Sequence, residues 1–412
     1  MMNRVIENKK LSGQILGISS KSYAHRAIFC AALSEGESIL EIEDLSKDIE
    51  SSLNCIKSLG VSVKKKDSKF YIKAPKKFNK NVSIDVGESG TSLRFILPIV
   101  AGLGIDAEII RRGSLISRTN EVYFDLFPKH GVSIEEKNEK IFVNGKLRDF
   151  NFKLTANISS QFISGLMLAS ASSDSDYNIE LTTDIESKSY IQMTIDVMEK
   201  FGAKIEKVNN SFKCSGKLYS QNYIVEKDWS NALFFLAAGV EVLGLNKNSI
   251  QADKKSLKYF CELGLENISK KDYKFVKNKE AKDKITIDAK DIPDSIPILA
   301  ILSALYAKEI NIINTKRLKL KESDRVKSTL DMLRNLGVES QVYEDSFSFK
   351  GVRSFKSCEI HSYNDHRIAM SAAIAATFAD GPITILDSEC VKKSYKNFYE
   401  DFESLGGVCH VL

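Results

Sequence analysis

The side chains best suited to chemistry in this 412-residue chain stand where apolar, helix-like runs begin. They are Lys21, Ser22 and Arg26, then Thr91 and Arg94, then Ser159, Ser160 and Gln161, and finally Asp294 and Arg367. A helix start presents backbone N–H groups without intrahelical acceptors and the positive end of the helix dipole, so several of them serving one site favour an anion. Arginine and lysine sharpen that preference, because a guanidinium grips phosphate or carboxylate at two points. The expected cargo is a small acidic molecule. Taken singly, each residue has a plainer explanation: Ser159 or Asp294 as a helix cap, Arg26 or Arg94 as a surface charge, His366 as a satisfied hydrogen-bonding residue. The run Arg317-Leu-Lys-Leu-Lys-Glu-Ser-Asp-Arg325 likewise reads first as an exposed helix start. Recurrence at equivalent places in the chain is what favours chemistry.

The elements that must position these residues repeat. Polar clusters open apolar runs at Ser20, Ser89, Ser159, Trp229, Asp294 and Asp365, spaced about 70 residues apart. A second helix follows each and stops near a glycine, at Gly60, Gly131, Gly202, Gly264, Gly337 and Gly407, as a left-handed helix terminus favours. Between the helices lie short alternating or β-branched runs, among them Lys69-Phe-Tyr-Ile-Lys, Val82-Ser-Ile-Asp-Val, Lys140-Ile-Phe-Val-Asn, Asn178-Ile-Glu-Leu-Thr and Lys284-Ile-Thr-Ile-Asp, which suit strands. Each unit reads strand, helix, strand, helix, then one or two strands, with the fourth the shortest and least regular. This is an α/β chain without the strict alternation of a doubly wound sheet. A chain this long exceeds what one core serves, so two domains of three repeats each are expected.

Composition excludes several classes. With 43% hydrophobic and 27% charged residues the chain is an ordinary globular protein, and no apolar run approaches the roughly 18 residues that span a bilayer. Met1 to Gly13 lacks the apolar core of a secretory signal, so a cytoplasmic location is expected. Seven scattered cysteines without Cys-x-x-Cys spacing, and five histidines without ligand spacing, argue against disulfide frameworks and metal sites. A net charge of +5, drawn largely from segments such as Lys64 to Lys66 and Lys76 to Lys80, is a weak argument for nucleic acid. Gly102-Leu-Gly104 is a turn after a helix rather than a nucleotide loop.

Six ordered motifs carry a resemblance over the whole chain: Lys21-Ser22 with Arg26, Ser89-Gly90-Thr91 with Arg94, Ser159-Ser160-Gln161, Lys321-Glu-Ser-Asp-Arg325, Asn364-Asp-His-Arg367 and Cys390-Val-Lys-Lys-Ser394. In these the chain resembles the 3-phosphoshikimate 1-carboxyvinyltransferases, or 5-enolpyruvylshikimate-3-phosphate synthases. The resemblance implies the two-domain enolpyruvyl transferase fold: six repeats, three per domain, helices inside and sheets outside. It implies a discontinuous lower domain of residues 1–18 plus 229–412, an upper domain of residues 19–228, and an active site in the cleft between them. It also implies transfer of the enolpyruvyl group of phosphoenolpyruvate to the 5-hydroxyl of shikimate 3-phosphate by a monomer, with no cofactor and no metal.

Site roles follow from the same resemblance. Ser22 and Arg26 hold the shikimate carboxylate, Ser159, Ser160 and Ser187 its phosphate, and Gln161 and Tyr190 frame the ring. Lys21 touches both substrates and is counted with the catalytic residues. Gly90, Thr91, Arg118, Gln161, Arg325, Arg367 and Lys393 hold phosphoenolpyruvate. Asp294 is the base on the 5-hydroxyl and also binds shikimate 3-phosphate with Lys321, Glu322 is the acid toward the methylene carbon, and Asp48 and His366 support. The chain departs from the family pattern at Glu88, where an Asn is common, and at Arg118-Thr119, where Arg-Pro is expected. The sister transferase acting on UDP-N-acetylglucosamine resembles a Lys-Asn pattern with a loop cysteine, whereas this chain has Lys21-Ser22 and no cysteine in residues 105–120. A non-catalytic anion-binding relative is a further alternative, against which stand Asp294 and Glu322 together.

Overall fold

A computed structural model describes residues 2–155, 159–173, 175–183 and 188–412. The chain forms two compact units, one continuous over Ser19–Glu226 and one discontinuous, built from Met1–Ile18 and Lys227–Leu412. No helix among the described residues is long and apolar enough to cross a membrane.

The continuous unit contains helices α1 (Lys21–Leu33), α2 (Lys47–Ser58), α3 (Gly90–Leu103), α4 (Glu121–Leu126), α5 (Ser160–Ser170) and α6 (Lys188–Lys200). Its three sheets share one plan. Strands Asn81–Asp85, Asp106–Ile110, Lys140–Gly145 and Val132–Lys137 lie side by side in that order, the first pair parallel and the others antiparallel. Strands Asn151–Leu154, Tyr177–Leu181, Ser211–Ser215 and Lys204–Val208 do the same. In the remaining sheet the strand paired in parallel with Glu37–Glu41 is Asn222–Ile224, contributed by the end of the unit. A parallel pair needs a crossover, and α3 and α5 supply it in the other two.

Those crossover helices are interior ones. Nearly every residue of α3 is buried, and an all-round apolar helix belongs inside a core. Ser89 caps its start by accepting from Ser92 N, and Gly104, at φ +64°, ends it. Gly165 lets α5 come close to α3, since a Cβ there would collide with the Arg94 carbonyl and the Tyr123 hydroxyl. The strands show one face each to this core: in Lys69–Lys73, Phe70 and Ile72 are buried while Lys69 and Lys73 are exposed. Lys64 to Lys66 therefore lies on a solvent-facing strand, and Lys76 to Lys80 in the loop that follows the sheet.

In the discontinuous unit lie α7 (Trp229–Ala237), α8 (Leu257–Glu262), α9 (Ile296–Tyr306), α10 (Arg325–Asn335), α11 (His366–Ala376) and α12 (Phe398–Ser404). Strands Lys284–Asp288, Glu309–Ile313, Ser346–Lys350 and Ser340–Val342 repeat the same plan. The N-terminal strand Arg4–Ile6 inserts between Ile383–Leu386 and Cys409–Val411. The fourth repeat is split into two short pairs, Gln14–Leu16 with Glu241–Leu243 and Leu265–Asn267 with Phe275–Lys277.

One expected helix stop moves. The left-handed position after α12 is taken by Gly406, at φ +93°, not by Gly407. Gly407 is needed for a different reason, because a Cβ there would run into the ring of Phe402.

Candidate active site

Two polar clusters form, one in each unit. In the discontinuous unit the centre is Arg325, fully buried at the first position of α10. Its Nε donates to Asp365 Oδ2 at 2.8 Å, its Nη1 to Asp294 Oδ1 at 2.7 Å and its Nη2 to Glu322 Oε2 at 2.8 Å. Lys321 Nζ reaches the same Asp294 oxygen at 3.2 Å, and Arg367 Nη2 lies 3.6 Å from the other. Burial alone pushes the Asp294 carboxyl up, but Lys321, Arg325 and Arg367 outweigh it and hold the group well below the usual carboxylate range. Burial likewise opposes the charge on Arg325, and Asp365, Glu322 and Asp294 more than restore it. For Lys321, burial prevails and lowers the ammonium despite Asp294.

Helix starts position this cluster. Asp365 caps α11, accepting from Arg367 N at 2.9 Å with one oxygen while the other takes Arg325. Arg367 extends toward α7, donating to Ser230 Oγ at 2.7 Å and Asn231 Oδ1 at 3.3 Å. Lys393, 7% exposed, donates to the Asn364 carbonyl at 2.9 Å. His366 is buried, its Nδ1 4.0 Å from Asp365 Oδ1. Asp294 is not a cap: α9 begins at Ile296, and the carboxylate is engaged by cations instead.

The cluster of the continuous unit is tied mainly by neutral oxygens. Arg26, 2% exposed, donates to Thr194 Oγ1 at 2.8 Å, the Ser22 carbonyl at 2.6 Å and the Tyr190 carbonyl at 2.8 Å. Burial lowers its guanidinium to about 10, which leaves it charged at neutral pH. Arg94 Nη1 donates to Gln161 Oε1 at 2.6 Å, and Gln161 Nε2 passes the link to Thr91 Oγ1 at 2.8 Å, so α3 and α5 are joined at their first turns. Lys21 pairs with Asp48 at 2.9 Å. Ser159 caps α5 through Gln161 N at 3.3 Å, and Ser160 is buried. A Cβ on Gly90 would lie 2.8 Å from Nη1 of Arg118, which places that arginine against the start of α3. Glu88 turns its carboxyl toward Gly113, where a Cβ would be 2.6 Å from its Cδ. Ser187 lies outside the described residues.

Several contributors were not assigned roles from sequence: Asp365, Ser230, Asn231, Asp228 and Asp253 in one unit, Thr194 and a buried hydroxyl chain in the other. That chain runs from His25 Nδ1 to Ser52 Oγ at 2.7 Å, to Ser92 Oγ at 2.8 Å and to Ser89 Oγ at 2.9 Å. Burial, with Lys21 and Arg26 nearby, holds His25 well below its usual value and hence neutral. Asp365 and Asp228 carried a local signal as cap-type residues at helix openings; Asp253 carried none.

The sheets and their crossover helices form a fold seen in solved structures. Two structures of EPSP synthase from Acinetobacter baumannii superpose with TM-scores of 0.81 and 0.78 at 24% and 22% identity, each covering 100% of this chain and 100% or 99% of the other. Residues 5–402 match the family model for EPSP synthase (3-phosphoshikimate 1-carboxyvinyltransferase). Relatives named 3-phosphoshikimate 1-carboxyvinyltransferase include one from Clostridium perfringens, 38% identical across 99% of both chains, and one from Clostridium acetobutylicum, 39% identical across 97% of this chain and 96% of its own. The chain therefore belongs to the EPSP synthase family.

Proposed function

We propose that this chain transfers the enolpyruvyl group of phosphoenolpyruvate to the 5-hydroxyl of shikimate 3-phosphate and releases phosphate, a step of the shikimate pathway to aromatic amino acids. The carrying observation is that the two candidate proton-transfer groups, Asp294 and Glu322, share Arg325 and lie beside Lys321 in a chain that is similar over its whole length to these transferases. In this reading Lys21, Ser22, Arg26, Ser159, Ser160, Gln161, Ser187, Tyr190, Asp294 and Lys321 serve shikimate 3-phosphate. Lys21, Gly90, Thr91, Arg118, Gln161, Arg325, Arg367 and Lys393 serve phosphoenolpyruvate, with Asp48 and His366 supporting. The reaction is carried out by a cytoplasmic monomer.

Glu322 gives a proton to the methylene carbon, Asp294 takes the proton of the 5-hydroxyl, and that oxygen bonds to the middle carbon of phosphoenolpyruvate. Glu322, now ionised, then takes back a methyl proton, which restores the methylene as the C–O bond to phosphate breaks and inorganic phosphate leaves. As the cluster stands, Asp294 is a weak base, because three cations hold its charge. An anionic substrate that takes Arg325 and Arg367 for itself removes that hold and raises the basicity of Asp294 when it is needed. Arg26, tied to neutral oxygens, needs no such exchange before it meets a carboxylate.

Phosphate release decides the reading. With phosphoenolpyruvate and shikimate 3-phosphate the purified protein releases phosphate, and Asp294→Ala and Glu322→Ala each lower kcat by about 10²- to 10⁴-fold. Release with UDP-N-acetylglucosamine as acceptor would move the chain to the sister activity, and no release with either acceptor would leave an anion-binding relative.

A further inference from the structure

The fourth repeat is the least regular, and its segment Gln251-Ala252-Asp253, at the start of the short 3-10 helix Ala252–Ser256, is tied to two helix starts at once. Gln251 Oε1 accepts from Trp229 N at 3.0 Å and Gln251 Nε2 donates to the Lys227 carbonyl at 2.8 Å, which fixes the segment to the opening of α7. Two residues on, Asp253 Oδ1 accepts from Ser295 Oγ at 2.6 Å, which fixes it to the opening of α9, directly after Asp294. The ring closes through Arg367. That guanidinium approaches Asp294 at 3.6 Å and donates to Ser230, whose hydroxyl donates to Asp228 Oδ1 at 2.6 Å; Asp228 in turn caps α7 through Asn231 N at 2.8 Å. Asp253 is 3% exposed, and a buried carboxylate is costly unless it is hydrogen-bonded and paired, which Ser295 and Arg367 supply in part here.

We propose that the Gln251–Asp253 segment positions Asp294, and that the negative charge of Asp253 sets how strong a base Asp294 is. The inference rests on Asp294 being the base on the 5-hydroxyl. Asp253 touches no group assigned to substrate except through Ser295 and the field it casts, so it is a positioning residue. The charged groups facing it are Asp294 before α9, Arg367 on α11 and Asp228 before α7. A second negative charge beside Asp294 disfavours the anion there and so strengthens the base, in opposition to Lys321, Arg325 and Arg367. Burial, reinforced by Asp294, lifts Asp253 itself to about 6, so its charge is present at neutral pH and lost in mild acid.

The test follows phosphate release from phosphoenolpyruvate and saturating shikimate 3-phosphate across about pH 5 to 8.5 for wild type, Asp253→Asn and Ser295→Ala. Asparagine keeps the volume and the acceptor for Ser295 and removes the charge. Above about pH 7 the Asp253→Asn enzyme turns over roughly three- to tenfold more slowly, and below about pH 5.5 the two rates converge, because wild-type Asp253 is then protonated as well. The ratio of the two profiles cancels the titration of the substrates' own phosphates. A ratio that is flat across the range, whatever its size, overturns the inference, since a merely structural role has no reason to follow pH. Ser295→Ala removes the hydroxyl that favours the ionised form of Asp253, so the low-pH fall in kcat moves to higher pH; an unmoved profile overturns the inference even if Asp253→Asn does not fold. Asp294→Ala separates the premise: if it keeps wild-type kcat, the base assignment fails and this inference with it, whereas a dead Asp294→Ala with a flat ratio overturns the inference alone.

Discussion

The two clusters handle positive charge in opposite ways. In the continuous unit Arg26 is buried against a hydroxyl and two backbone carbonyls, so its charge is fixed in place without being cancelled. In the discontinuous unit Arg325 is buried against Asp294, Glu322 and Asp365, so its charge is cancelled by groups that can themselves carry protons. On the proposed reading the first arrangement is a receptacle, already positive when a carboxylate or phosphate arrives, and the second an exchange, in which an anion displaces a carboxylate and makes it a better base. The difference teaches that a buried arginine keeps or loses its net charge according to whether its partners are neutral or ionised.

The largest expected break in this contrast comes from Asp294 and Glu322, the proposed base and acid, whose alanine variants remove the proton carriers and leave the Arg26 cluster intact. They lose phosphate release while shikimate 3-phosphate still binds, as calorimetry would show. Next is the stability cost of removing each arginine. Arg325→Leu leaves three carboxylates in or near the core without their shared cation and lowers stability by about 3–5 kcal/mol. Arg26→Leu leaves neutral acceptors and costs about 1–3 kcal/mol. Equal losses in denaturant melts would erase the distinction.

Acid sharpens it further. The Asp294 carboxyl is held below its ordinary value of 3.8, so its stabilising pairs are present above that pH and vanish as pH falls through the lower, folded value. Asp253 works in the other sense: raised to about 6, it favours the fold fully below 3.8 and loses that contribution as pH rises through 6. Hydrogen exchange in α9 should therefore slow as pH falls through about 6 and quicken below about 4, after correction for intrinsic rates, whereas the middle of α1, whose Arg26 meets no carboxylate among the described residues, should not follow the turn near pH 6. The smallest effect is Thr91→Val, which leaves Gln161 Nε2 without its acceptor, costs about 1 kcal/mol and raises KM for phosphoenolpyruvate more than it lowers kcat.

Much of the fold was legible because its signals are local. The cap residues, the apolar runs of α1, α3, α5, α7, α9 and α11, and glycines such as Gly60 and Gly337 are each decided by a few neighbouring residues. Gly407 shows the limit: two adjacent glycines look alike in sequence, and only the position of Phe402 decides which turns the chain and which must be small. Motif resemblance nominated Asp294, Glu322, Arg325 and Arg367, and the structure places these four in one cluster. It nominated nothing at Asp253, because a lone aspartate between alanine and lysine carries no pattern of its own.

What the sequence determined by itself, then, is the repeat, the helix openings and the types of side chain standing at them, all consequences of backbone preference and apolar periodicity over short spans. What only the tertiary structure decided is who neutralises whom. Arg325 meets Asp365 across 40 residues, Asp253 meets Ser295 across 42 and Gln161 meets Thr91 across 70. The physical reason is that charge and hydrogen bonding act through space over a few ångströms, so the same arginine becomes a receptacle or an exchanger according to what folding places beside it.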